Sequence, residues 1–139
     1  MSRFLFMPAP IAIIDFETTG STPAQGARAT EVAVVLVEGG RVVDQFQSLM
    51  NAGVRIPPFI TQLTGITNAM VADAPPAAEV MAQARRFVGD TPLVAHNAPF
   101  DRGFWQAELA RANCDAPQPF ACTVRLARRL YPEAPNHQL

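Results

Sequence analysis

Apolar positions along this chain keep two rhythms. Runs rich in apolar and β-branched residues lie at "IAIID" (11–15), "EVAVVLVE" (31–38), "RVVDQFQSLM" (41–50), "PLVAHN" (92–97) and "PFACT" (119–123). Each reads as a strand, because extended segments alternate their faces and buried ones lose their polar positions. Gly39 and Gly40 join the second run to the third, a two-residue hairpin signal, with Glu38 and Arg41 flanking the turn. Between these runs the spacing becomes helical. "IPPFITQLTGI" (56–66) predicts a short helix opening at Pro57 or Pro58 and closing at Gly65. In "PPAAEVMAQARRFVGD" (75–90), Val80, Ala84, Phe87 and Val88 share one side and Gly89 stops the helix. "APFDRGFWQAELARAN" (98–113) turns Phe100, Phe104, Ala107 and Leu109 or Ala110 inward, with Trp105 on another, partly exposed face. "VRLARRLYP" (124–132) is a last helix, carrying the basic cluster 125–129. A strand, a hairpin, then helices alternating with two strands predict an α/β fold, a mixed sheet of about five strands with helices packed on it.

The remaining bulk features narrow the class. A chain of 139 residues fits a single domain, 1–139. A net charge of −1 excludes a broad basic field that would coat nucleic acid, but leaves room for a grip on one strand end. All 11 basic residues are arginine, a compositional bias without functional weight. Cys114 and Cys122 match no zinc or redox spacing and read as reduced thiols. The apolar N-terminus is interrupted by Pro8 and Pro10, and no window approaches a membrane span, so the reading is a cytoplasmic protein with no membrane contact.

The chemistry gathers where two strands end. Asp15 and Glu17 lie two apart, so on a strand they face the same way while Phe16 points into the opposite layer. Paired carboxylates beside an apolar sheet repel each other and lose solvent, unless a divalent cation holds both ionised. A D-x-E alone is weak evidence. A second apolar strand, however, runs to His96, with Asn97 placed as the N-cap of the next helix and Asp101 in its first turn. Both acidic positions then meet at one sheet edge, where ligands bind in open α/β folds. All-oxygen ligands favour Mg²⁺ or Mn²⁺ over zinc. His96 reads as a packed, hydrogen-bonded residue.

"DFETTG" (15–20), "ITQLTGITNAMVADAPP" (60–76) and "LVAHNAPFD" (93–101), in this order and spacing, closely resemble the DEDD exonucleases. The likeness is to the DEDDh branch, the proofreading 3′–5′ exonucleases of bacterial DNA polymerase III, whether epsilon subunit or embedded domain. It implies a ribonuclease H-like fold and two-metal hydrolysis with two Mg²⁺ or Mn²⁺. It makes Asp15, Glu17 and Asp101 both catalytic and metal-ligating. It assigns substrate contacts to Thr18, Thr19, Gly20 and Asn97, and a base-packing wedge to Leu63, Thr64, Gly65 and Ile66. For "LTGI" the residues themselves also allow a plain helix cap with Leu63 and Ile66 in the core. The family's fourth acid and general-base histidine belong to a later helix with an H-x-A-x-x-D pattern, for which this sequence has no counterpart. It stops at "PNHQL", and His137 sits too early for the base. The resemblance therefore predicts a domain incomplete at its C-terminus, its last helix missing or truncated, and weak or inactive as it stands. The substrate it implies is a single-stranded DNA 3′ end, with a DNA polymerase as partner. Rival readings are an exoribonuclease of the RNase T or oligoribonuclease type, a non-catalytic binding module on the same fold, and a different Mg²⁺-dependent phosphotransferase. The lack of a P-loop or G-x-G-x-x-G cradle weighs against the last.

Overall fold

A computed structural model describes residues 9–123. The helix expected at 124–132, the basic cluster 125–129 and His137 lie outside the described residues. Five strands form one sheet: β1 (Ile11–Thr18), β2 (Ala29–Glu38), β3 (Arg41–Leu49), β4 (Leu93–Ala95) and β5 (Phe120–Cys122), in the order β3-β2-β1-β4-β5. β1 and β2 pair antiparallel, as do β2 and β3, while β4 and β5 run parallel to β1. The mixed sheet predicted from the pattern is therefore present. Gly39 and Gly40 both take positive φ, 60° and 75°, which is what a two-residue turn between right-twisted strands requires.

Period two sorts the central strand. Ala12, Ile14, Phe16 and Thr18 are buried, whereas Asp15 is exposed and Glu17 is half-buried on the other face. The buried set meets α3 (Ala77–Val88) and α4 (Ala98–Arg111). Val80, Met81, Ala84 and Val88 line α3's inner side, and Phe87 rests half-buried on Phe46 with ring centroids 5.9 Å apart. On α4, Phe104 lies between Phe16 and Phe100, at 6.3 and 4.9 Å, and Leu109 rather than Ala110 continues the apolar stripe.

Trp105 departs from expectation. It is fully buried, because its indole N–H donates to Gln118 Oε1 at 3.0 Å and Gln118 in turn donates to the Gly89 carbonyl at 2.8 Å. A buried indole needs such an acceptor, and this one comes from a loop the helical period does not reveal.

A second, smaller core of Ile56, Ile60, Ile66 and Val71 sits under α1 (Pro58–Thr64) and α2 (Asn68–Ala72). α2 went unpredicted: it is a single short turn-and-a-bit whose start depends on Thr67, which accepts the Met70 amide at 3.1 Å. Asn68 clamps Ile56 by accepting its N–H at 2.8 Å and donating to its carbonyl at 3.1 Å.

Candidate active site

β1 runs three residues beyond the predicted end at Asp15, so the acid pair sits within the strand rather than after it. The register places Asp15 opposite Ala33 and Glu17 opposite Glu31, with an irregularity immediately after Glu17. Glu31 was not foreseen as part of the site. Its only signal was position, at the opening of the β2 run, and the hairpin register decides which residue it faces. Gln47 holds it, donating to Glu31 Oε2 at 3.1 Å.

β4 and β1 are parallel neighbours, so their carboxyl ends lie at one edge and α4 departs from that edge. Asn97 occupies the N-cap position of α4, as predicted. Its backbone carbonyl accepts from Phe100 and Asp101, but its side chain makes no capping bond and remains exposed. Asp101, in the first turn, is only 4% exposed, and its Oδ1 accepts the Phe16 amide at 3.2 Å. That bond spans 85 residues and brings Asp101 to the strand segment between Asp15 and Glu17.

The electrostatics mark these acids as one group. Desolvation, then the neighbouring Glu31, raises Asp15, and desolvation, then Asp15 and Glu31, raises Glu17. Asp101 is pushed up to about 7, by burial first and then by Asp15, with a smaller contribution from Glu17. Among the described residues, no three Asp, Glu, His or Cys side chains are close enough together to hold a metal ion as they stand. Carboxylates repel, so drawing these onto one ion needs the ion's own charge to offset the repulsion. The donor set still suits a hard divalent cation: oxygen ligands, raised pKa values and, among the described residues, no ion pair to any of the three. His96 is held elsewhere, with Nδ1 2.8 Å from Thr123 Oγ1, so it packs as expected rather than joining the acids.

The loop after the acids is tightly tied. Thr18 is buried and its hydroxyl donates to the Gly20 carbonyl at 2.7 Å. The Thr19 amide donates to the Arg28 carbonyl at 2.9 Å, and Thr19 Oγ1 accepts the Arg28 amide at 3.0 Å. A Cβ on Gly20 would stand 3.3 Å from the Ala27 side chain, a tight contact that a larger residue there would have to relieve by a small shift of the loop. Within "LTGI" the two readings divide between residues. Ile66 is 5% exposed and belongs to the small core, whereas Leu63 is 80% exposed. Ile66 thus offers no surface to a base. Thr64 is bonded to Ile60 and Ile66, and Gly65 caps α1 at φ 77°. Leu63 shares its face of α1 with Phe59, four residues earlier and 66% exposed.

A mixed sheet with carboxylates on and beside its central strand is a ribonuclease H-like arrangement, in which nucleases are a recurring class. The family model described as Exonuclease matches residues 12–139, and the chain belongs to that family. It is 40% identical over 128 residues to a PolC-type DNA polymerase III of Bacillus cereus, covering 91% of this chain and 9% of the relative. It is 36% identical over 128 residues to the 3′-5′ exonuclease DinG of Bacillus subtilis, covering 91% of this chain and 14% of that protein. The chain therefore spans only a small part of these curated relatives. Exonuclease X in complex with 5′ overhanging duplex DNA superposes with a TM-score of 0.73 at 33% identity, over 91% of this chain and 67% of that one. Among the described residues no helix is long and apolar enough to cross a membrane.

Proposed function

We infer that the chain is a metal-dependent 3′–5′ exonuclease domain that hydrolyses phosphodiesters at DNA 3′ ends, in a cytoplasmic and polymerase-associated setting. The observation that carries this is the placing of Asp15 and Glu17 on β1 with Asp101 bonded to the Phe16 amide between them, all three raised first by desolvation, and Glu17 and Asp101 also by Asp15. Structural ion pairs mix signs, whereas a same-sign group at a sheet's carboxyl edge is built for a cation. The polarity and the DNA substrate find support in the names of the DinG and PolC-type relatives and in the DNA-bound exonuclease X.

Asp15, Glu17 and Asp101 would hold the ions. Mg²⁺ or Mn²⁺ held there would offset the charge of the phosphodiester and lower the pKa of an attacking water. The chain's own residues do the rest. The Phe16 amide fixes one Asp101 oxygen and leaves the other for a ligand. Thr19, held by Arg28, and Gly20, whose carbonyl accepts from Thr18, present an edge to the terminal nucleotide, and the exposed Asn97 amide lies at the start of α4. Leu63 packs against the last base without reading its identity, which suits an enzyme that must remove any nucleotide.

The test is digestion of a 3′-labelled single-stranded DNA with Mg²⁺ or Mn²⁺, run beside Asp15→Ala and on a form extended past Leu139, with a matched RNA oligomer in parallel. Divalent-dependent shortening in either form, abolished by Asp15→Ala, is the expected result. Silence in both forms overturns the assignment, and shortening of RNA alone reassigns the substrate.

A further inference from the structure

A polar cavity of about 260 Å³ opens at the loop that leaves β1, lined by Thr19, Gly20, Ser21, Thr22, Gln25 and Arg55 among others. Its wall begins at Thr19, two residues after Glu17 in the chain, so it lies along the loop that follows the acid pair. Arg55 is the only ionisable side chain in that lining, and the other groups are hydroxyls, an amide and backbone. The two ion pairs among the described residues employ Arg28 with Glu108 and Arg85 with Asp115, and Arg55 has no hydrogen bond or ion pair there. An exposed guanidinium beside a ring of donors selects an anion, and its forked geometry suits phosphate oxygens.

The floor of the cavity is already ordered. Thr22 Oγ1 accepts the Gln25 amide at 3.3 Å, and Gly26 closes that turn at φ 91°. The bonds between Thr19 and Arg28 fasten both ends of the loop. Little rearrangement would be needed to receive a ligand, which keeps the entropic cost of binding low.

We propose that this cavity is a phosphate subsite, in which Arg55 takes a non-scissile phosphodiester of the strand whose terminal linkage lies at the acids. The assignment rests on the nuclease reading above. A nucleic-acid strand repeats its negative charge at every nucleotide, and the acid cluster repels all of them that are not screened by metal. A lone cation one step away gives the neighbouring phosphate a counter-charge and fixes how far the strand advances over the acids. Phosphate contacts position a strand without reading its sequence.

The experiment measures binding of a fluorescent single-stranded DNA dodecamer to the whole chain by anisotropy, with Ca²⁺, over a range of salt concentrations. Wild type, Arg55→Ala and Arg55→Lys are compared on the parent oligomer and on versions carrying one neutral methylphosphonate at each linkage in turn. Arg55→Ala is expected to bind severalfold more weakly and to lower the salt slope by roughly 0.7, the share of one phosphate on a single strand. Arg55→Lys should restore the slope. One internal methylphosphonate position should weaken wild type severalfold and leave Arg55→Ala unchanged, a coupling that a purely structural role of Arg55 would not produce. Equal affinities and salt slopes for wild type and Arg55→Ala, with strand binding intact, overturn the subsite and leave the nuclease reading standing. Absence of strand binding by wild type overturns both.

Discussion

Arg28 grips Glu108 with two prongs, Nε to Oε1 at 2.7 Å and an Nη to Oε2 at 3.0 Å, across 80 residues of sequence. The same Glu108 also accepts the Ala29 amide at 3.2 Å, and Arg28 reaches the Ala52 carbonyl at 3.2 Å. Glu108 lies on α4, which carries Asp101, and Arg28 ends the loop that follows Glu17. The pair therefore joins the two elements that supply the acids. Glu108 is 2% exposed and the Arg28 side chain 14%, so the carboxylate above all has little water to fall back on. Removing one partner strands the other. Glu108→Ala should cost about 3–5 kcal/mol in chemical denaturation. Replacing both, Arg28→Met with Glu108→Leu, should cost clearly less than the sum of the single changes. Additive losses in that double-mutant cycle would show that the pair is not coupled.

Asp101 makes the fold sensitive to pH in a defined direction. Its carboxyl stands at about 7 in the folded chain against 3.8 when unfolded, so between those values the folded state keeps a proton that the unfolded state has lost. Stability from this group is complete below the unfolded value and is lost as pH rises through about 7. Asp15 and Glu17 are also raised and act in the same direction. In EDTA, unfolding free energy should fall between about pH 4 and pH 7. Asp101→Asn, which keeps an oxygen for the Phe16 amide, should flatten much of that fall and stabilise the chain at pH 8 by about 2 kcal/mol or more. The same variant should be inactive as a nuclease. A steeper fall in Asp101→Asn than in wild type would contradict the burial argument.

Leu63 and Phe59 stand exposed on one face of α1, over a small core formed by other residues. Truncating them removes little folded-state packing, so Leu63→Ala and Phe59→Ala should keep the wild-type melting temperature. If that face meets unpaired bases, each change should raise KM for a single strand about fivefold, equivalent to roughly 1 kcal/mol, while altering kcat less. Ile66→Ala makes the internal comparison. It opens a hole in the small core and should lower the melting temperature. A fall in melting temperature for Leu63→Ala with KM unchanged would return Leu63 to a structural role.

How much of this was legible depended on how local each cause was. Asp15 and Glu17 share a face because strands alternate, and Gly39-Gly40 turns because glycine tolerates positive φ, so both followed from neighbouring residues. Asp101's approach to β1 followed from strand order and the known edge of α/β sheets. The burial of Trp105 did not, since its acceptor Gln118 lies 13 residues away in an irregular loop. Glu108 carried no signal in the helical pattern of 98–113, because its partner Arg28 lies 80 residues away. Ile66 and Leu63 sit three apart around a glycine cap, and only the fold of the following α2 decides which of them is covered. The misses at Trp105 and Glu108 are long-range partners that change the cost of burying a side chain.

Glu31 faces Glu17 across the β1–β2 ladder, and two like charges directly opposite destabilise a sheet by about 0.2–1 kcal/mol. It also contributes to the raised state of both Asp15 and Glu17. A strand pair chosen for stability alone would not keep that arrangement, whereas a cation-binding edge gains negative potential from it. Glu31→Gln should therefore stabilise the metal-free chain by a few tenths of a kcal/mol and at the same time weaken Mn²⁺ binding severalfold in calorimetry. The amide would keep the hydrogen bond from Gln47 available, so the change isolates charge from packing. The two effects must have opposite signs. A variant that binds Mn²⁺ as tightly as wild type would remove Glu31 from the electrostatics of the site and leave it as a tolerated strand residue.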